Sequence, residues 1–300
     1  MKKFYSNGKL FITGEYVVLD GAKAFALPTK FGQDLTVENG SGQEISWKSY
    51  DADESCWFES TISFEAIIGK HAGEDPVKNT LIEILHAASL LNPDFLKHEG
   101  YLVRTHLTFP RFWGLGTSST LINNIAQWLS IDAFALLRKS FGGSGYDIAC
   151  AQNDTPILYH LEGQNPMIEK VFFNPEFAAN LYFVYLNKKQ SSKSAIRSYY
   201  EKRTNIAPTI EAIDAITAKV LHSKTLKTFA DLIGEHENIL SKILELPTVK
   251  SVLFPDFSGT VKSLGGWGGD FILAVSEENP KPYFSEKGYQ TVIPYHEMIL

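Results

Sequence analysis

The stretch Pro110-Arg111-Phe112-Trp113-Gly114-Leu115-Gly116-Thr117-Ser118-Ser119-Thr120 sets two glycines and a run of hydroxyl residues directly before an apolar-periodic segment. Leu121, Ile122, Ile125, Ala126 and Leu129 recur at helical spacing, which predicts a helix with the hydroxyl run in its first turn. First-turn N–H groups lack intrahelical partners, and together with the helix dipole they attract an anion. Gly114 and Gly116 would let the backbone approach phosphate oxygens closely, and a Thr or Ser hydroxyl would reach a bound Mg²⁺. A glycine turn capped by serine also opens helices that bind nothing, so this stretch alone leaves both readings open. Two other phosphate signatures fail. No G-x-x-x-x-G-K-[ST] segment occurs, and G-x-G-x-x-G would need glycine where Ser119 stands.

Composition bounds what surrounds that loop. A chain of 300 residues, 44% hydrophobic, 13% aromatic and 21% charged, is expected to bury a large core and to form two domains. The net charge of −6 supplies no basic footprint for nucleic acid or an anionic membrane, so neither is an expected partner. An anionic substrate must then be met by local positive groups. Cys56 and Cys150 are too few for a disulfide framework or a cysteine zinc site, and they read as partly buried free thiols in a reducing, cytoplasmic setting. The apolar stretch after Met1 is broken by Ser6, Asn7, Gly8, Lys9 and Glu15, unlike a signal sequence, and no apolar run is long enough to span a bilayer. The eight histidines show no H-x-x-x-H or H-E-x-x-H pairing and are expected to be structural or exposed.

Leu10-Phe11-Ile12 and Tyr16-Val17-Val18-Leu19, with an Asp20-Gly21 turn before Ala24-Phe25-Ala26-Leu27, read as a hairpin. Short β-favouring pieces fill 34–65, and 76–91 reads as a helix through Leu81, Ile84, Leu85 and Ala88. A second dense glycine segment runs from Phe141 to Ala151, and the polar stretch 162–176 is the candidate domain boundary. Beyond it the sequence predicts a strand over 180–186, helices over 194–202, 209–222 and 226–246, strands flanking Gly265–Gly269, and a last strand over 290–294. Alternation of strands and helices in both halves indicates a mixed α and β chain.

Three segments in order resemble the motifs of the GHMP small-molecule kinases, the superfamily of galactokinase, homoserine kinase, mevalonate kinase and phosphomevalonate kinase. The first, Gly8-Lys9-Leu10-Phe11-Ile12-Thr13-Gly14-Glu15-Tyr16, is similar to the opening strand and Gly-Glu-Tyr turn of the phosphomevalonate kinase branch. The second, Pro110 to Thr120, matches P-x-x-x-G-L-G-S-S-x except for Thr117. The third, Ser263-Leu264-Gly265-Gly266-Trp267-Gly268-Gly269-Asp270, resembles the late glycine loop, and Gly143-Ser144-Gly145-Tyr146-Asp147-Ile148-Ala149 resembles the Gly-Ser-Gly-Phe-Asp-Val-Ala segment of the same branch. The motifs frame the chain from Gly8 to Asp270.

The resemblance implies an α+β fold of two domains, an N-terminal ribosomal-protein-S5-like ATP-binding domain over 1–170 and a C-terminal ferredoxin-like domain over 171–300. It implies an ATP-dependent kinase with Mg²⁺ that phosphorylates mevalonate or phosphomevalonate and works as a monomer or homodimer. Kinases of another alcohol or sugar, and a catalytically weak nucleotide-binding sensor, are the alternatives. Pro110, Gly114, Leu115, Gly116, Thr117, Ser118 and Ser119 would hold the nucleotide, with Ser118 on the metal. Asp147 would orient the acceptor hydroxyl or accept its proton, and Lys9 would keep Asp147 ionised and offset charge on the transferred group. A helix N-cap is the plainer reading of Asp147. Glu15, Tyr16, Ser144, Gly145, Ser191, Ser192, Gly265 and Gly266 would serve the acceptor, the two serines with Lys189 on a basic turn that otherwise reads as a solvated loop. Two departures stand out. The position of the Mg²⁺-binding glutamate of mevalonate kinases is occupied by Leu136, and Trp267 replaces a glycine of the third motif, which would set a bulky ring beside the phosphate loop or acceptor. Trp47, Trp57 and Trp113 are expected to pack in the core in preference to lining an adenine pocket.

Overall fold

The computed structural model describes residues 1–190 and 192–300, leaving aside the side chains of 192–194. The chain divides into two compact units that interleave along the sequence: Met1–Gly8, Phe31–Arg111 and Leu115–Gln152 form one, and Lys9–Lys30, Phe112–Gly114 and Asn153–Leu300 form the other. Two long strands, β1 (Lys2–Thr13) and β2 (Ala24–Asn39), pair with each other and contribute to both units.

In the first unit, β3 (Glu44–Tyr50) and β4 (Cys56–Ser63) form an antiparallel hairpin, and α1 (Phe64–Ile68) follows. Helix α2 (Pro76–Leu91) starts where Asp75 accepts the amides of Val77 and Lys78 and Pro76 presets the first turn. Strand β5 (Tyr101–Leu107) runs antiparallel to Gln33–Asn39 of β2 and parallel to β3. Helices α3 (Thr117–Leu129), α4 (Ala133–Ser140) and α5 (Tyr146–Ala151) complete the unit. Its core gathers Trp47, Phe64, Leu85, Phe95, Ile122, Trp128 and Leu136, with the Trp128 ring edge-on to Phe95 at 5.1 Å and to Tyr101 at 5.0 Å.

The second unit contains the hairpin of β6 (Ile157–Glu162) and β7 (Asn165–Lys170), with Ala24–Ala26 of β2 antiparallel to β6. The polar stretch read as a boundary therefore contains an edge strand, polar because almost all of β7 is exposed. Next come β8 (Leu181–Tyr185), α6 (Ser192–Lys202), α7 (Ala207–Leu221), α8 (Leu226–Leu244) and α9 (Val249–Leu253). Strands β9 (Thr260–Leu264) and β10 (Phe271–Val275), helix α10 (Lys281–Glu286), strand β11 (Val292–Pro294) and helix α11 (Tyr295–Met298) end the chain. The sheet order β11-β8-β10-β9, antiparallel throughout, with helices after the first strand and before the last, is the ferredoxin-like arrangement.

One expected strand is absent. Tyr16-Val17-Val18-Leu19 is not extended; Val17–Asp20 is a single 3₁₀ turn. Gly14 at φ 91° and Tyr16 at φ 64° reverse the chain, and burial of Val17 and Val18 rewards the reversal. The thiols also differ from expectation, since Cys150 is fully buried and Cys56 is exposed.

Candidate active site

In the first unit the hydroxyl run lies in the opening turn of α3, as its spacing predicts. Asp75 and Asp132 cap α2 and α4 with their carboxylates, whereas α3 is preceded by Gly116 at φ 98° with no side-chain cap. A bare left-handed glycine leaves first-turn amides available to an anion. Ser118 is exposed, Thr117 and Ser119 are half-buried, and Leu115 is a core residue. Thr120 is buried, and its hydroxyl donates to Gln33 Oε1 at 2.8 Å. The helix is fixed by a buried polar ladder: Ser6 Oγ donates to Asn124 Oδ1 at 2.7 Å, Asn124 Nδ2 to the Gln33 carbonyl at 2.9 Å, and Asn123 Nδ2 to Ser6 Oγ at 2.9 Å. Satisfied buried polar groups of this kind lock orientation more strictly than apolar packing does. Pro110 is exposed before the loop.

Helix α5 repeats the same start. Gly145 at φ 86° precedes it without a side-chain cap, and Asp147 sits half-buried in its first turn, so the N-cap is Gly145 and not Asp147. A carboxylate in a first turn interacts favourably with the helix dipole. Ser144 is half-buried, and Gly142 and Gly143, both at positive φ, have open space where a Cβ would stand.

In the second unit Lys9 is 8% exposed, and its Nζ donates to the Gly114 carbonyl at 3.4 Å. A Cβ on Gly114, at φ 73°, would overlap the Asp270 carboxylate, approaching Oδ1 to 2.7 Å. That glycine is required by close approach of an acid from its own unit, a reason the sequence does not disclose.

The Gly14–Tyr16 turn is equally committed. A Cβ at Gly14 would stand 2.6 Å from Ala24 Cα and 2.7 Å from the Lys23 carbonyl, so only glycine fits. Glu15 is buried and paired with the buried ammonium of Lys262, which also donates to the Ser263 carbonyl at 2.7 Å. His236 Nε2 accepts the Gly14 N–H at 2.9 Å; being an acceptor there, it cannot also donate to Glu15 Oε2 at 3.6 Å. Burial, then the Lys262 charge, pushes the His236 pKa well down, which keeps the ring neutral. Glu237 accepts from Ser263 N at 3.1 Å and Ser263 Oγ at 3.0 Å, and burial pushes its carboxyl up to about 7 against the opposing pull of Lys262. Tyr16 reaches the late glycine loop: its hydroxyl accepts from Trp267 N at 2.9 Å and donates to the Gly265 carbonyl at 3.3 Å.

Gln190 lies across that loop. A Cβ on Gly266 would sit 2.5 Å from Gln190 Cβ, one on Gly269 would overlap the same side chain, and Gln190 Nε2 donates to the Trp267 carbonyl at 3.2 Å. The Trp267 ring packs against the cluster of Tyr16, Val17, Tyr199, Ile213, Leu240 and Leu244, and its Nε1 donates to the Pro247 carbonyl at 3.0 Å. The bulky ring is thus absorbed by the helices of its own unit. Ser191, and the side chain of Ser192, lie outside the described residues. Lys189 is exposed, with its ammonium 5.7 Å from the centre of the Phe112 ring.

Of the tryptophans, Trp47 is a core residue, Trp57 carries the Arg111 guanidinium 5.3 Å from its ring centre, and Trp113 packs edge-on to Phe271 at 5.4 Å. Leu136 is fully buried. No group of three His, Cys, Asp or Glu suited to a metal occurs among the described residues. The exposed Ser118 hydroxyl is one oxygen donor at the start of α3, of the hard type that Mg²⁺ takes. Sequence reading gave no role to Asp270, Gln190, Lys262, His236 or Glu237. Only Asp270 had a signal, as the end of the Gly-Gly-Asp run.

No family model matches the sequence, and no curated protein matches it. Solved structures match the fold. Phosphomevalonate kinase of Streptococcus pneumoniae, in complex with phosphomevalonate and AMPPNP, superposes with a TM-score of 0.72 at 16% identity over 97% of this chain and 99% of that one. Mevalonate kinase of Methanococcus jannaschii superposes with a TM-score of 0.70 at 17% identity over 97% and 96%. Galactokinase of Lactococcus lactis, complexed with galactose, superposes with a TM-score of 0.67 at 12% identity over 95% and 88%. The chain has the mixed α+β fold of the GHMP small-molecule kinases. No helix among the described residues is long and apolar enough to cross a membrane.

Proposed function

We propose that this chain is an ATP-dependent phosphotransferase of the GHMP type, passing the γ-phosphoryl group to mevalonate or phosphomevalonate. The observation that carries the reading is the uncapped start of α3 behind Gly116, on a fold shared with kinases whose structures hold a nucleotide analogue or a small acceptor. Thr117, Ser118 and Ser119 would bind the triphosphate through amides and hydroxyls, with Ser118 the protein ligand of Mg²⁺. The metal supplies charge neutralisation on the phosphates when bound. Lys9 would offset charge on the transferred group, and Asp147 would orient the acceptor oxygen, taking its proton where the acceptor is an alcohol. With a phosphate acceptor the oxygen is already ionised, and Asp147 then acts by position. Glu15 and Tyr16 act through the loops they brace, since Glu15 is buried against Lys262 and Tyr16 holds Gly265 and Trp267. A sugar acceptor is a second reading of equal standing on the fold, motivated by the galactokinase match.

The test separates binding from transfer. Asp147→Asn and Lys9→Met should each lower ADP release by at least about a hundredfold, while AMPPNP affinity by calorimetry stays within about threefold. Turnover that survives both changes would refute the assigned roles. Nucleotide binding with no acceptor-stimulated release in the wild type would favour a nucleotide-binding sensor.

A further inference from the structure

We propose that Asp270 is a positioning residue for Lys9: its carboxylate, seated in the notch that Gly114 leaves, fixes the Lys9 ammonium at the start of the glycine loop. The inference rests on the kinase reading for why Lys9 must be fixed, and on this unit's own geometry for how.

Asp270 is 7% exposed and stands at φ 51°, in the left-handed region that costs a non-glycine residue on the order of 1 kcal/mol. Its backbone is fully committed, with its N–H on the Lys188 carbonyl at 2.7 Å and its carbonyl accepting from Leu186 N at 2.8 Å. One carboxylate oxygen, Oδ1, accepts from Gln190 N at 3.2 Å. Lys9 and Asp270 meet on the same residue: the ammonium holds the Gly114 carbonyl, and the carboxylate fills the space a side chain at 114 would take.

Glycine at 270 would relieve both the strained φ and the cost of burying a carboxylate, and glycines already fill 265, 266, 268 and 269. A carboxylate kept in such a place is explained by its charge. The charged or titratable groups that bear on it are Lys9, Lys189, Tyr16 and Tyr185. Burial pushes the Asp270 carboxyl up, and the Lys9 charge is the strongest influence pulling it back down, ahead of the Gln190 N–H and Lys189.

The test has two arms on the full chain. In the first, the Asp270 carboxyl carbon is followed by ¹³C NMR against pH, its resonance identified by its loss in Asp270→Asn. Lys9→Met should raise the Asp270 midpoint by about one pH unit, the usual effect of removing an adjacent opposite charge. An unmoved midpoint overturns the proposal. In the second, Asp270→Asn should lower kcat at least about tenfold with the KM for ATP within about threefold, and should cost nothing more in a Lys9→Met background. Fully additive losses overturn it. Should Lys9→Met not fold, Asp270→Glu keeps the charge but moves it by one methylene, and an undiminished kcat there would be contrary evidence. A wild type that turns over no acceptor would sink the kinase reading, while the titration arm still decides whether Asp270 holds Lys9.

Discussion

Replacing Lys262 by Met tests the buried ionic cluster under the Gly14–Tyr16 turn. The Lys262 side chain is 1% exposed and that of its partner Glu15 is 4% exposed, while Glu237 nearby feels the same ammonium. Met fills most of the volume but leaves Glu15 buried without its counter-charge, and Glu237 as well once it ionises above about pH 7. Breaking a buried pair from one side costs about 3–5 kcal/mol, because the remaining charge is uncompensated. At about 2–4 °C per kcal/mol for a chain of this scale, Tm should fall by roughly 10 °C. Urea unfolding followed by tryptophan fluorescence measures the cost directly. The part of the loss that comes from Glu237 should shrink from pH 8 towards pH 5, as that carboxyl protonates and no longer needs the ammonium. Adding Glu15→Gln to Lys262→Met should recover at least half of the loss. A Lys262→Met cost below about 1 kcal/mol, or a Glu15→Gln change that deepens the loss, would refute the reasoning.

Glu237 is protonated in the folded chain up to about pH 7 and in the unfolded chain only to about 4.5, so its contribution to stability falls as pH rises between those values. Glu237→Gln should remove that slope, gaining on the order of 3 kcal/mol relative to wild type from pH 4.5 to 8; parallel stability curves would contradict it. Tyr16→Phe strands the Trp267 N–H and should cost about 1–3 kcal/mol in urea unfolding, with a wild-type midpoint counting against the bridge. Gly14→Ala meets fixed backbone at 2.6 Å and should be far more destabilising than Gly268→Ala, which has open space and only a positive φ to bear at about 1 kcal/mol. Equal costs would argue against the tight approach at Gly14.

The parts legible in the sequence are those governed by local pattern. The period of Leu121, Ile122, Ile125 and Leu129 placed α3, that of Leu81, Ile84, Leu85 and Ala88 placed α2, and the strands beside Gly265–Gly269 emerged as β9 and β10. What stayed hidden depends on partners far apart in the chain. Glu15 looks like a motif residue, and only folding brings Lys262 to it across 247 positions. Asn123 and Asn124 interrupt an apolar period for no visible reason until Ser6 and Gln33 arrive as partners. Tyr16-Val17-Val18-Leu19 has strand composition, but the positive φ at Gly14 and Tyr16 overrides it. The polar composition of 162–176 reflects an exposed edge strand, β7, whose solvent-facing residues no local pattern distinguishes from a linker.

The most direct measurement is ³¹P NMR of the products after incubation with Mg·ATP and, in turn, mevalonate, phosphomevalonate, homoserine, galactose and shikimate, with Asp147→Asn alongside. The account predicts one new phosphoryl resonance on one acceptor, formed in step with ADP and absent in the variant. ADP formed with inorganic phosphate alone, or an acceptor phosphorylated equally by Asp147→Asn, would contradict it.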